Sequence, residues 1–256
     1  EILLSAYTCH PSMANNECSG PAVLAHIARE LLHRDNHYSY RIIFIPETIG
    51  SITYLSRNLE TMKKNVVAGF NLTCVGDNDN YSYIPSIEGN TLADKVALNV
   101  FDSYDYEYKR YTFMDCGSDG RRYNAPNVDL PVIELCRTKY WEFKEYHTSL
   151  DNMDYISAEG LNGTYTLVMR ILDALEANKV YLIKTICEPQ LGKRGLYPTI
   201  SRKDNVNNVN VIRNLVGYTN GKRDLIDISN ILHVPVADLD QIAAKLLAHD
   251  LLEVIE

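Results

Sequence analysis

Four runs of the chain are apolar at nearly every position rather than at alternate ones: residues 2–7 (Ile-Leu-Leu-Ser-Ala-Tyr), 41–45, 66–73 and 130–136. A strand covered on both faces reads this way, and such strands belong to parallel sheets flanked by helices. The segments between them carry the complementary pattern. Residues 21–33 place Val23, Leu24, Ile27, Ala28, Leu31 and Leu32 on one helical face, with Ser19 as cap and Pro21 in the first turn. Residues 51–57 and 91–101 predict two further helices, and residues 157–177 a long one with Leu161, Tyr165, Val168, Ile171, Leu172 and Leu175 on its apolar side. Strands alternating with helices predict an α/β domain on a mainly parallel sheet with helices on both faces. Residues 77–80 read as a loop, the tyrosine-rich residues 104–113 as an extended edge segment, and residues 117–123 as a loop and short helix.

The pattern changes after Cys187. Gly192, Gly195, Pro198 and the Asn-rich residues 205–210 mark a linker, placed at 187–204, between a first domain of residues 1–186 and a module of residues 205–256. Helical periodicity at 209–215, 225–232 and 236–249, followed by an apolar strand at 251–255, predicts a winged helix. Its cations are Arg213, Lys222, Arg223 and Lys245, against Asp224, Asp227, Asp238, Asp240, Asp250, Glu253 and Glu256. A recognition helix carrying Asp238 and Asp240 repels phosphate, so nucleic acid is disfavoured and protein contact is the expected use of this module.

Over the whole chain 33 acids face 25 Lys and Arg, a formal charge of -8, which argues against affinity for nucleic acid or anionic membranes. No run is long and apolar enough to cross a bilayer. The six cysteines are scattered with no CxxC pair, the usage of a reducing, cytoplasmic compartment. The chain opens on a strand without an initiator methionine, as a segment of a longer protein would.

Candidate chemistry gathers where the buried strands end. Open α/β sheets bind ligands at the carboxyl edge, and His10, Glu17, Glu47, Asp119 and His147 all fall in loops predicted to lie there. Two imidazoles and a carboxylate form the ligand set of a catalytic zinc with one open position, which His10, Glu17 and His147 supply. Glu47 is placed as the general base, and Asp151, four residues after His147, as acceptor for an imidazole N–H. Blander roles stand beside these: histidines in polar loops are often surface residues, Glu47 can cap the helix that follows it, and Asp119 a turn. The signatures of serine hydrolases, phosphate loops and dinucleotide folds are absent from the sequence.

Residues 1–180 resemble the catalytic domain of zinc aminopeptidases of the aminopeptidase/carboxypeptidase superfamily. The resemblance runs through the strand ending in His10, Ser19-Gly20, Glu47 with Gly50, Asn71-Leu72 before Gly76, Ser118-Asp119 and Tyr146-His147-Thr148. The stretches HPSMANNECSG, PETIGS, GSDGRRY and EYHTSLDN are similar, more closely, to bacterial aminopeptidase-like proteins associated with polysaccharide biosynthesis, which carry a C-terminal winged helix. The resemblance implies a hydrolase of an amide bond in a small peptide or modified-sugar substrate, with Glu47 as base and Asp119, Arg121 and Arg122 facing the substrate. An arginine fork onto a carboxylate would suit a peptide terminus or an acidic sugar. Three ligands of the two-zinc enzymes are replaced: Asn16 stands for the bridging acid, Thr48 for a glutamate and Thr73 for an aspartate. One zinc on His10, Glu17 and His147 is therefore the expectation, with a catalytically inactive scaffold in a carbohydrate pathway as the alternative.

Overall fold

The computed structural model describes residues 1–196 and 203–255, the side chains of residues 203–208 excepted. They form two compact units, one of residues 1–101 and 105–171, the other of 172–256 with 102–104.

The first unit is built on a six-stranded sheet. In chain order its strands are β1 (Ile2–Tyr7), β2 (Tyr40–Ile45), β3 (Ala68–Leu72), β4 (Tyr81–Ile84), β5 (Tyr108–Arg110) and β6 (Val132–Cys136), arranged in space as β2-β1-β3-β6-β4-β5. β2, β1, β3 and β6 are parallel, whereas β4 pairs antiparallel with β6 and parallel with β5. The helices α1 (Ser19–Leu31), α2 (Ile49–Asn65), α3 (Leu92–Ser103), α4 (Ser118–Tyr123) and α5 (Ala158–Glu176) connect and cover these strands.

Every residue of β1, β3 and β6 is buried, which accounts for their uninterrupted apolar runs. On one face Leu3 packs with Ile43, Val132, Leu55 and Met62 of α2 and Tyr123 of α4, and the Ser5 hydroxyl pairs with the Tyr123 phenol at 2.8 Å. On the other, α1 lies against β1 and β3 so closely that a Cβ added at Gly20 would sit 2.5 Å from the Leu72 carbonyl oxygen and 3.5 Å from the Ala6 Cβ. The Ser19-Gly20 pair is thus a packing requirement: only a residue without a side chain lets the first turn of α1 rest on the sheet.

Three expectations are corrected. β4 falls where the sequence predicts no element, because its four residues, Tyr-Ser-Tyr-Ile, are too few and too polar to show a period. α2 continues to Asn65 rather than ending near Arg57; its second half turns only Leu59 and Met62 inward among polar residues, so the apolar signal fades while the helix goes on. The Asn-rich segment read as part of a linker belongs to helix α6 (Lys203–Tyr218). Pro198 lies outside the described residues.

The second unit is a winged-helix domain. Strands β7 (Val180–Ile183), β8 (Asn220–Asp224) and β9 (Leu252–Val254) form an antiparallel sheet in the order β8-β7-β9 beside helices α6, α7 (Leu225–Leu232) and α8 (Val236–Ala248). Asp224 caps α7 by accepting from the Asp227 amide at 2.7 Å. By pairing, β7 goes with these later strands, although its residues precede the composition change at Cys187. Among the described residues no helix is long and apolar enough to cross a membrane.

Gly20→Ala should lower the unfolding free energy by about 1–3 kcal/mol, since the clash is with backbone that cannot swing aside. Urea denaturation measures this, and an unchanged midpoint would refute the close-packing argument.

Candidate active site

Because β1, β2, β3 and β6 run parallel, the loops that leave them open on one edge of the sheet. The loop after β1 carries Cys9 and His10 and winds into a single π-helical turn, Ala14–Cys18, before α1 begins. That turn buries Glu17 and aims its carboxylate back along the loop. Glu17 Oε1 lies 2.9 Å from His10 Nδ1 and accepts from Asn16 Nδ2 at 2.8 Å, while Oε2 accepts from the Cys9 amide at 2.8 Å. The ligand atoms of Cys9, His10 and Glu17 all lie within 4.8 Å of one another.

His147 arrives from the loop after β6. Its ring centroid is 4.9 Å from that of His10, and the Tyr146 ring stacks on it at 4.0 Å. What brings the two loops together is Asp151. This buried carboxylate accepts from the backbone amides of Asn15 at 2.6 Å and Asn16 at 3.0 Å, and its carbonyl accepts from Ala14 at 3.0 Å. Asp151 was expected to receive an imidazole N–H. Instead it caps the π-helical turn, because four-residue spacing from His147 is not helical spacing in this loop and turns the carboxylate toward the β1 loop. A second tie, from Asp77 after β3, accepts from Asn15 Nδ2 at 3.0 Å and from the Thr138 hydroxyl at 2.7 Å.

Glu47 follows β2 and is half-buried. Its charge, with that of Glu17, is felt by the phenols of Tyr7 and Tyr146 and the thiol of Cys9, all raised chiefly by burial and further by these carboxylates. Both charges thus act on the same three side chains. The next residue, Thr48, has φ 61°, a conformation in which a β-branched side chain is strained. Its amide donates to Asp119 Oδ1 at 2.8 Å, and the Ser51 hydroxyl to the same atom at 2.7 Å.

Asp119, expected to face the substrate, is instead fully buried behind the Glu47 loop and holds that loop in place. Burial pushes its carboxyl up to about 6, opposed by the Ser51 and Thr48 hydrogen bonds and assisted by the charge of Glu47. Its Oδ2 and the Nε of Arg122 are buried without a hydrogen-bond partner among the described residues. Arg121 donates to the Cys116 carbonyl at 3.2 Å and lies 5.3 Å over the Phe113 ring.

The structure thus sets His10 against Glu17 and beside the His147 ring, places Glu47 in the neighbouring loop after β2, and leaves Asp119 and Asp151 as supports. Three contributors were missed: Cys9, whose signal was a thiol adjacent to the candidate ligand histidine, Tyr146, and Asn15, which no local pattern singles out. Asn16 and Thr73, the neutral residues beside the cluster, are engaged with their neighbours. Asn16 Oδ1 accepts from the Cys74 thiol at 3.5 Å, and the Thr73 hydroxyl is bonded to the Tyr7 phenol.

A family model described as domain of unknown function (DUF4910) matches residues 1–178, and a winged helix-turn-helix model residues 179–254. The chain belongs to the DUF4910 family. A Clostridium acetobutylicum protein named as a polysaccharide biosynthesis protein with aminopeptidase-like domain is 41% identical over 231 residues, 90% of this chain and 53% of that protein. A crystal structure from Clostridium acetobutylicum, assigned as a peptidase, superposes with a TM-score of 0.91 at 36% identity, over 99% of this chain and 57% of the other. The chain thus spans little more than half the length of these relatives. A zinc aminopeptidase from Bacillus subtilis shares the fold, with a TM-score of 0.57 at 21% identity over 69% of this chain and 46% of that one. The first unit is therefore aminopeptidase-like.

The raised Asp119 carboxyl sets a pH dependence. A folded-state value of about 6 against an ordinary 3.8 means that folding takes up a proton between them. The favourable contribution is full below about pH 4 and is lost as pH rises through about 6. The stability of the wild type relative to Asp119→Asn, from urea denaturation, should fall by about 3 kcal/mol across that window and level off above it. A constant difference would contradict the burial.

Proposed function

We propose that this chain is the catalytic part of a zinc-dependent hydrolase that cleaves an amide bond in a small peptide or an amino-acylated sugar. The observation that carries the reading is the contact of His10 with both Glu17 and the His147 ring at the end of the parallel strands, with a second carboxylate, Glu47, in the neighbouring loop after β2.

The donors suit one zinc ion. Two imidazoles and a carboxylate are the set of a catalytic zinc, and the Cys9 thiol lies within 4.8 Å of the His10 and Glu17 donor atoms. A second ion lacks acids to hold it: Asn16, Thr48 and Thr73 are neutral, and the first and last are already hydrogen-bonded to other side chains. When bound, zinc supplies Lewis acidity toward the scissile carbonyl and makes water a stronger acid.

The protein's own groups do the rest. Glu47 takes a proton from the attacking water as the new C–O bond forms, then delivers it to the nitrogen as the C–N bond breaks, leaving a carboxylate and an amine. Asp119 and Ser51 hold the Thr48 turn so that Glu47 keeps its direction. Asp151 keeps the His147 loop beside that of His10.

The same neutral replacements favour a second reading, a metal-poor scaffold in a carbohydrate pathway. Metal analysis separates the two: protein that keeps no zinc after dialysis, with His10→Ala as stable as wild type, supports the scaffold. We further propose that the winged-helix domain makes protein contacts and does not bind nucleic acid, since α8 exposes Asp238, Gln241 and a single cation, Lys245.

Glu47→Gln should bind zinc as the wild type does while hydrolysis of an aminoacyl anilide falls by about 100-fold or more. Hydrolysis at the wild-type rate in this variant would remove Glu47 from the mechanism.

A further inference from the structure

Beside the histidine pair stands a side chain that the reaction does not use. Trp141 is the sole tryptophan of the chain and is 73% exposed. Its indole is 4.8 Å from the Tyr146 ring and 5.8 Å from the His147 ring. It is not a loose surface residue, because Tyr146 rests edge-on against Phe143 at 5.4 Å, and Phe143 stacks on Tyr155 at 5.1 Å. A column of aromatic rings rises from the core cluster of Cys74, Ile84, Cys136 and Phe143 to an indole in solvent. The backbone at Trp141 has φ 70°, an uncommon conformation for a bulky residue, and the same sign recurs at His147.

The surroundings of the indole narrow its occupant. An apolar amino-acid side chain calls for an enclosed apolar pocket. At 73% exposure most of the indole is open, and its neighbours in sequence are charged. Glu142 accepts from the Tyr111 hydroxyl at 2.7 Å and from Lys109 at 3.2 Å, and Lys144 pairs with Glu145 at 3.6 Å. An exposed flat ring in a segment that carries charged residues suits a pyranose ring, which presents C–H bonds on its face and hydroxyls around its edge.

We infer that Trp141 is the platform of a sugar subsite, stacking the ring of an N-acylated amino sugar whose amide lies toward His10 and His147. This deepens the proposed function by naming the substrate class, and it rests on that reading only for the direction of the amide. The experiment is chosen to be independent of turnover. With a single tryptophan, emission reports on this position alone.

Zinc-loaded Glu47→Gln protein is titrated with N-acetylglucosamine, and with N-acetyl-phenylalanine amide as an apolar ring. The subsite predicts a saturable change in emission with the sugar and none with the amide. By calorimetry, Trp141→Ala added to this protein weakens sugar binding about tenfold, and Trp141→Phe much less, since a flat ring remains. No emission change with sugar, a response to the phenylalanine amide alone, or undiminished sugar affinity in Trp141→Ala would overturn the subsite. Failure of hydrolysis in the wild type would overturn the enzyme reading and leave this binding result standing.

Discussion

The site depends on the two hydrogen bonds that the Asp151 carboxylate accepts from the backbone amides of Asn15 and Asn16. Those amides begin the π-helical turn and have no partner within it, so a buried carboxylate both caps the turn and satisfies itself. The consequence is geometric. Asp151 follows His147 by four residues, and Asn15 precedes Glu17 by two, so joining the first pair places His147 beside His10 and Glu17. The Asp77 bridge between Asn15 and Thr138 and the Ala14–Asp151 backbone bond reinforce this tie, so the two loops are held at more than one point.

The remaining parts follow the same logic, in which one element's unsatisfied backbone is met by another's acid. Asp119 holds the strained Thr48 turn from α4, as Asp77 holds the Asn15 side chain from the loop after β3. Thr48, Trp141 and His147 adopt positive φ in the loops after β2 and β6, and the hydrogen bonds and ring contacts around them offset the cost. Asn16 and Thr73 fit this picture: hydrogen-bonded to neighbours, they stiffen the floor of the site.

Much of the fold was legible because the physics behind it is local. β1, β3 and β6 are buried on both faces and show it as unbroken apolar runs, and parallel strands then put their loops on one edge. His10, Glu17, Glu47 and His147 could be grouped from that alone. β4 was hidden because it is held by pairing with β6 rather than by a pattern of its own. The roles of Asp119 and Asp151 were misread for a related reason. Each bonds to backbone in a loop far away along the chain, and a carboxylate that caps a distant turn looks no different in sequence from one that meets a ligand. The tyrosine-histidine stack and the exposed Trp141 likewise emerge only once the loop after β6 is folded.

The central claim, one zinc ion held between the two loops that Asp151 joins, is tested most directly by anomalous diffraction at the zinc edge from crystals of the zinc-loaded protein. The account predicts a single peak within bonding distance of His10, Glu17 and His147, with Asp151 still on the Asn15 and Asn16 amides. Two peaks, or a single peak that contacts neither histidine, would contradict it.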